Sequence, residues 1–190
     1  MILAKNSITV ILLAGGKSSR MGADKGLLLV NEKPMIQHII DAVRVISTNI
    51  IIVSNQKEYA QFGFPVFEDR IKESGPLAGI YTGLFHSKTH QNIVLSCDVP
   101  YVSAALITFL LEQSSDFDVT IPQKKDRLHP LIGVYTQACL PVFKNELKHQ
   151  QLKVKLAIEK MKLNIVDAAL FADVNFMNIN TPIDIKNATT

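Results

Sequence analysis

Three cations stand within nine residues of one another in the segment ILLAGGKSSRMGADKGLL, which runs from Ile11 to Leu28: Lys17, Arg20 and Lys25. Gly15 and Gly16 precede them. Glycine amides carry no side chain to keep a phosphate at a distance. Arginine can engage two phosphate oxygens at once, while lysine acts as a point charge. That combination suits a polyphosphate; the bland alternative is a tight turn with solvated charges. Two better-known phosphate loops are excluded. Gly16-Lys17-Ser18 ends like a P-loop, but that loop needs a glycine five positions before Gly16, where Ile11 stands. The dinucleotide fingerprint G-x-G-x-x-G fails because the glycines are Gly15, Gly16 and Gly22.

Two acids complete the candidate chemistry. Asp98 follows the apolar run Asn92 to Ser96, where an unpaired carboxylate would be costly to bury. A Mg²⁺ ion shared with phosphate oxygens would resolve that cost; an N-cap or turn role ahead of Ser103 competes. Asp69 could meet a metal-linked water or a ribose hydroxyl, or pair with Arg70 or Lys72. Cys97 reads as a small core residue and His38 as structural. His129-Pro130 is a rim contact or a turn. His86, His90 and His149 lack metal-ligand spacing, and no G-x-S-x-G or convincing triad is present.

The elements that must position these residues follow from periodicity. Ser7 to Leu13, Asn49 to Val53 and Asn92 to Ser96 are apolar almost throughout, as strands buried on both faces are. Pro34 is expected to open a helix at its first position, followed by Ile36, Ile39, Ile40 and Val43 on one face. A short helix near Lys57 to Phe62 and a strand at Pro65 to Phe67 lead to Glu68-Asp69. A turn at Ser74-Gly75 and a helix from Pro76 follow. Ser103 caps a helix with Leu106, Ile107, Leu110 and Leu111 inward. Further strands are expected at Asp118 to Pro122, Pro130 to Tyr135, Lys162 to Val166 and Asn175 to Ile179, with two helical stretches in Ala138 to Met161. Gln123 to His129 reads as an insertion loop at the site's rim. Thr181, Pro182 and Asp184 suit the start of a last helix. Strands alternating with helices predict a mainly parallel sheet. In such a sheet ligands bind outside the carboxyl ends of the strands, where the glycine loop, Ser54-Asn55, Asp69 and Asp98 all fall.

The bulk properties bound the rest. Hydrophobic residues make up 47% and charged residues 19% of 190, enough for a sizeable core in a single domain spanning 1–190. A net charge of +3 without a dense basic run argues against a nucleic-acid binder. No stretch reaches the roughly 20 apolar residues that span a bilayer, so no membrane partner is expected. The run Ile8 to Ala14 is read as a first core strand rather than a signal segment. Two cysteines, Cys97 and Cys139, read as reduced thiols of a cytoplasmic protein.

The segment LLAGGKSSRMGADKGLL closely resembles the signature of the nucleotidyltransferases that complete the molybdenum cofactor. Gly75-Pro76-Leu77-Ala78-Gly79, Cys97-Asp98-Val99-Pro100-Tyr101, His129-Pro130 and Asn178-Ile179-Asn180-Thr181-Pro182 follow in the family's order. Leu13-Ala14-Gly15-Gly16 is similar to the guanylyltransferase branch; the cytidylyltransferases tend to read Leu-Ala-Ala-Gly. The resemblance implies a Rossmann-like, three-layer α/β/α domain that uses GTP and Mg²⁺. It would transfer GMP to the phosphate of molybdopterin and release pyrophosphate, with molybdoenzymes or other cofactor-assembly proteins as further partners. It implies that Leu13, Ala14, Gly15 and Gly16 line the nucleotide, that Lys25 meets its phosphates and that Asp69 contacts it. Asp98 would bind Mg²⁺, with Arg20 and Lys25 as the other catalytic groups. His129 and Asn180 are expected on the acceptor side. Some members place a guanine-contacting Asn directly after the second strand, where Val53 stands; Asn55 lies two residues on. The alternatives are a cytidylyl or sugar-1-phosphate nucleotidyltransferase, and a nucleotide-sensing or cofactor-carrying protein without activity.

Overall fold

The computed structural model describes residues 7–15, 24–180 and 184. In chain order the elements are β1 (Ile8–Leu13), β2 (Leu29–Val30), β3 (Lys33–Pro34), α1 (Met35–Val43), β4 (Ile50–Val53), β5 (Val66–Phe67), α2 (Gly75–His86) and β6 (Gln91–Ser96). There follow α3 (Ala104–Glu112), β7 (Val119–Lys124), β8 (Arg127–Leu128), β9 (Ile132–Thr136), α4 (Cys139–Lys148), α5 (Val154–Ile158) and β10 (Leu163–Asp167). Short 3-10 turns occupy Lys25–Leu27, Lys57–Phe62 and Asp173–Phe176.

β1 shows why the apolar runs form the centre of the sheet. All six of its residues are buried. Ile8, Val10 and Leu12 enter one core with Ile36, Ile39 and Ile40 of α1 and Leu106, Ile107 and Leu110 of α3. Ile11 and Leu13 enter the other, with Leu77, Ile80 and Leu84 of α2, Phe143 of α4 and Ile158 of α5. Side chains alternate between faces along a strand, so a strand covered on both sides must be apolar at every position. The result is the expected three-layer α/β/α arrangement.

Among the described residues the main sheet runs β10-β7-β9-β6-β1-β4-β5, with β8 paired to β7. β1, β4, β5 and β6 are parallel neighbours, as are β7 and β10. β9 is antiparallel to both β6 and β7, so β7 and β10 point the same way as β1. The carboxyl ends of six strands therefore share one edge. Among the described residues no helix is long and apolar enough to cross a membrane.

Three local expectations need correction. Pro34 caps α1 instead of occupying its first turn, because it ends β3 in a hairpin whose turn residues Asn31 and Glu32 have φ of 51° and 61°. Positive φ at both central positions is what a tight type I′ hairpin requires. The short helix expected near Lys57 to Phe62 is present, as a 3-10 helix closed by Gly63 at φ 77°. Gln123 to His129 is largely a β7–β8 hairpin; its turn lies at the shared strand edge, and Pro130, lacking an N–H, separates β8 from β9. Asn175 to Ile179 is not a strand. The buried Asn175 accepts from the Ser103 N–H at 2.9 Å and donates to the Ala172 carbonyl at 3.3 Å, which holds a 3-10 turn instead.

Candidate functional site

The ends of the three central strands are fastened together. The Ala14 N–H donates to the Val53 carbonyl at 2.9 Å, and the Cys97 N–H to the Leu13 carbonyl at 3.0 Å. The backbone then turns at Gly15 with φ 153°, a conformation side chains disfavour. Leu13 itself faces the core, so what this stretch exposes at the edge is the bare glycine of an exposed turn. Gly16, Lys17 and Arg20 lie outside the described residues.

Lys25 opens a 3-10 turn capped by Asp24, whose Oδ1 accepts from the Gly26 N–H at 3.2 Å. Its ammonium donates to Asn180 Oδ1 at 2.7 Å, across 155 residues of chain. Asp98 sits beside the same C-terminal strip. Its carbonyl accepts from the Ile179 N–H at 2.8 Å, and among the described residues its carboxylate has only a long contact, 3.4 Å, from the Asn178 amide. The strip Asn178 to Asn180 thus touches the acid at one end and the lysine at the other. Cys97 reports the same convergence. Burial pushes its thiol up to about 12; Asp98 and Asp24 add to this, while the Gly15 amide and Lys25 oppose it. A thiol so raised is a core group and not a nucleophile. The capping role considered for Asp98 belongs to Ser103, whose Oγ accepts from the Leu106 N–H at 3.3 Å.

Asp69 follows β5 and faces Gly79 of α2, where a Cβ would lie 3.7 Å from its Oδ1. Asn55 Oδ1 accepts from the Asp69 N–H at 3.2 Å, tying the ends of β4 and β5. Among the described residues Asp69 Oδ1 is buried without a hydrogen-bond partner. Burial raises its pKa, with the Asn55 contact opposing. The Arg70 guanidinium lies 3.7 Å above the Phe85 ring instead of on this carboxylate. A buried acceptor left open at a ligand edge is a place for a donor from a bound molecule.

The structure therefore brings Gly15, Lys25, Asn55, Asp69, Asp98 and Asn180 to one edge. His129 is only 8% exposed and packs 4.8 Å from the Phe176 ring, and burial, with Arg127 nearby, lowers its pKa. His38 is structural, bonded to the Val30 carbonyl at 2.7 Å. Both cysteines are free and buried. Sequence reasoning missed Tyr59, a fully buried phenol that donates to Asp24. A single tyrosine in a polar stretch gives no signal of such a partner.

An open, mainly parallel sheet with a glycine turn, a lysine and isolated acids at its carboxyl edge defines a Rossmann-like fold of the nucleotide-binding kind. The profile of the MobA-like NTP transferase domain matches residues 10–162. A Flavobacterium johnsoniae protein named "Probable molybdenum cofactor guanylyltransferase" is 35% identical over 182 residues, 95% of this chain and 96% of its own. The molybdenum cofactor guanylyltransferase of Vibrio parahaemolyticus is 34% identical over 182 residues, covering 92% and 91%. The crystal structure of molybdopterin-guanine dinucleotide biosynthesis protein A from Archaeoglobus fulgidus superposes with a TM-score of 0.82 at 22% identity, over 95% of this chain and 96% of that one, and shows the same fold. The chain belongs to the MobA-like NTP transferase family, and its chemistry is nucleotidyl transfer.

Proposed function

We propose that the chain transfers GMP from GTP to the terminal phosphate of molybdopterin and releases pyrophosphate. The observation that carries this reading is the strip Asn178 to Asn180, which draws Lys25 and Asp98 to the same strand edge. The names of the Flavobacterium and Vibrio relatives support the choice of base and acceptor.

The reaction joins two anions, so catalysis is mainly positioning and charge neutralisation. An oxygen of the acceptor phosphate forms a bond to the α-phosphorus of GTP. The bond from that phosphorus to the β-bridging oxygen breaks, and pyrophosphate leaves with the electron pair. A phosphate monoester is largely ionised near neutral pH, so no general base is required. Lys25, with Lys17 and Arg20, steadies the departing pyrophosphate, while Gly15 and Gly16 present amides to the triphosphate beside Leu13 and Ala14. The open Asp69 oxygen accepts from a ribose hydroxyl or a guanine N–H, with Asn55 fixing its backbone. Asn180 and His129 belong to the acceptor side.

Asp98 fits Mg²⁺. It is a carboxylate oxygen donor at the strand edge with one weak contact among the described residues. Mg²⁺ commonly binds through one or two carboxylates plus substrate phosphates. When bound it would neutralise charge on the phosphates. The reading takes 1–190 as one catalytic unit and goes with a cytoplasmic location.

Pyrophosphate release from GTP, with and without molybdopterin and Mg²⁺, tests the proposal. Release that needs all three components is expected. Equal release with CTP or with sugar phosphates as acceptors overturns the specificity. Nucleotide binding without any release indicates a sensing or carrier protein.

A further inference from the structure

Lys25 reaches Asn180 beside the end of β6, yet its own turn is only three residues long. Short 3-10 turns have poor hydrogen-bond geometry and are weakly self-supporting. Something outside must hold this one.

The support comes from the connection between β4 and β5. Tyr59 lies in the 3-10 helix Lys57–Phe62 and is 0% exposed. Its hydroxyl donates to Asp24 Oδ1, the same oxygen that accepts the Gly26 N–H. Gly26 rests directly on the phenol ring: a Cβ there would collide with the hydroxyl and lie 3.2 Å from Cε1 and from Cζ. So the residues on both sides of Lys25 are fixed to one buried side chain, Asp24 by a hydrogen bond and Gly26 by contact. The phenol is a dependable donor. Burial, with the acidic groups of Cys97 and Asp24 nearby, raises its pKa far above the ordinary value. Asp24 has a further consequence for the lysine: with one oxygen taken by two donors, it is held as a cap.

We infer that Tyr59 is a positioning residue for nucleotidyl transfer, acting through Asp24 and Gly26 to hold the Lys25 turn against the strand edge. The phenol never touches substrate. It sets where the ammonium stands, with Asn180 steadying the other end. This inference rests on the assignment of Lys25 to the triphosphate.

The test is a double-mutant cycle of Tyr59→Phe with Lys25→Ala, read by GTP-dependent pyrophosphate release and, separately, by GTP affinity from calorimetry. Misplacing a catalytic group by about 1 Å can cost about 100-fold. Tyr59→Phe leaves the ring in place, so we expect a smaller loss, about tenfold in kcat/KM and about threefold in GTP affinity. In the Lys25→Ala background both losses should vanish, because residues acting as one unit are not additive. A purely structural tyrosine gives the same fold-loss in both backgrounds, and that result overturns the inference, as does wild-type activity in Tyr59→Phe. If Tyr59→Phe does not fold, Asp24→Asn and Asp24→Ala ask the same question. Asn keeps the accepting oxygen and should stay within about threefold of wild type, while Ala should lose about tenfold; equal losses overturn the latch. If the wild-type protein binds GTP but releases no pyrophosphate, the functional reading fails, and the affinity cycle still decides the latch.

Discussion

At the scale of single residues, Lys25 and Asp98 carry the heaviest assignments and have little structural duty. Asp98 holds Ile179 through its backbone carbonyl, which substitution leaves in place. Lys25→Ala and Asp98→Ala should each lower turnover at least about 100-fold, the usual cost of removing a group that stabilises transition-state charge. Thermal midpoints should move by less than about 2 °C, as for surface changes; turnover near wild type in either variant removes that residue from the mechanism. Asp69 behaves oppositely. Burial raises its pKa above the ordinary 3.8, so the folded state binds this proton more tightly than the unfolded chain does. Its charge therefore costs stability above the raised value, and the cost fades as pH falls through that value toward 3.8. Asp69→Asn should raise the midpoint by about 2–4 °C at pH 7.5, for about 1 kcal/mol regained at a buried unpaired oxygen. The gain should shrink at acid pH, and GTP affinity should fall. A variant less stable than wild type at neutral pH contradicts the account.

At the scale of elements, the site is aimed by the packing of α2 on β1. Gly83 of α2 stands directly over Ile11, so a Cβ there would overlap the isoleucine methyl and lie 3.0 Å from Cδ1. Gly83→Ala should cost about 1–3 kcal/mol by overpacking and lower the midpoint by about 3–10 °C in thermal melts. An unchanged midpoint would mean that the two elements slide freely. This packing also explains what could be read in advance. β1, β4 and β6, and the faces of α1 and α3, were legible because burial on both faces of a sheet, or on one face of a helix, writes itself as an apolar pattern. The β2–β3 hairpin and the turn at Asp173–Phe176 were not, because positive φ at Asn31 and Glu32 and the Asn175 bond to Ser103 are set by contacts that no periodicity reports. The site divides in the same way. Gly15, Lys25 and Asp98 stood out by type and by position at strand ends. Tyr59 did not, since its partner Asp24 lies 35 residues away, and Asn178 was marked only by the family motif, its partner Asp98 lying 80 residues away.

At the scale of the whole molecule, the site is a meeting of distant chain segments. The glycine turn comes from the start of the chain, Asp69 and Asp98 from its middle, and the strip that touches both Lys25 and Asp98 from its end. The contact of Lys25 with Asn180 alone closes a 155-residue loop. A nucleotide that bridges these segments binds only the folded chain, so binding free energy becomes folding free energy. At 100 times its dissociation constant, GTP with Mg²⁺ should add about 2.7 kcal/mol and raise the midpoint by about 5–10 °C. CTP at the same concentration should raise it less if the base is read at the edge. Chelation of Mg²⁺ should remove most of the shift, because the triphosphate then faces Asp98 as one anion faces another. In Asp98→Ala that repulsion is gone along with the metal ligand, so the midpoint with GTP should be nearly the same with and without chelator. A shift in the wild-type protein that is indifferent to chelation would show that nucleotide and carboxylate do not share an ion.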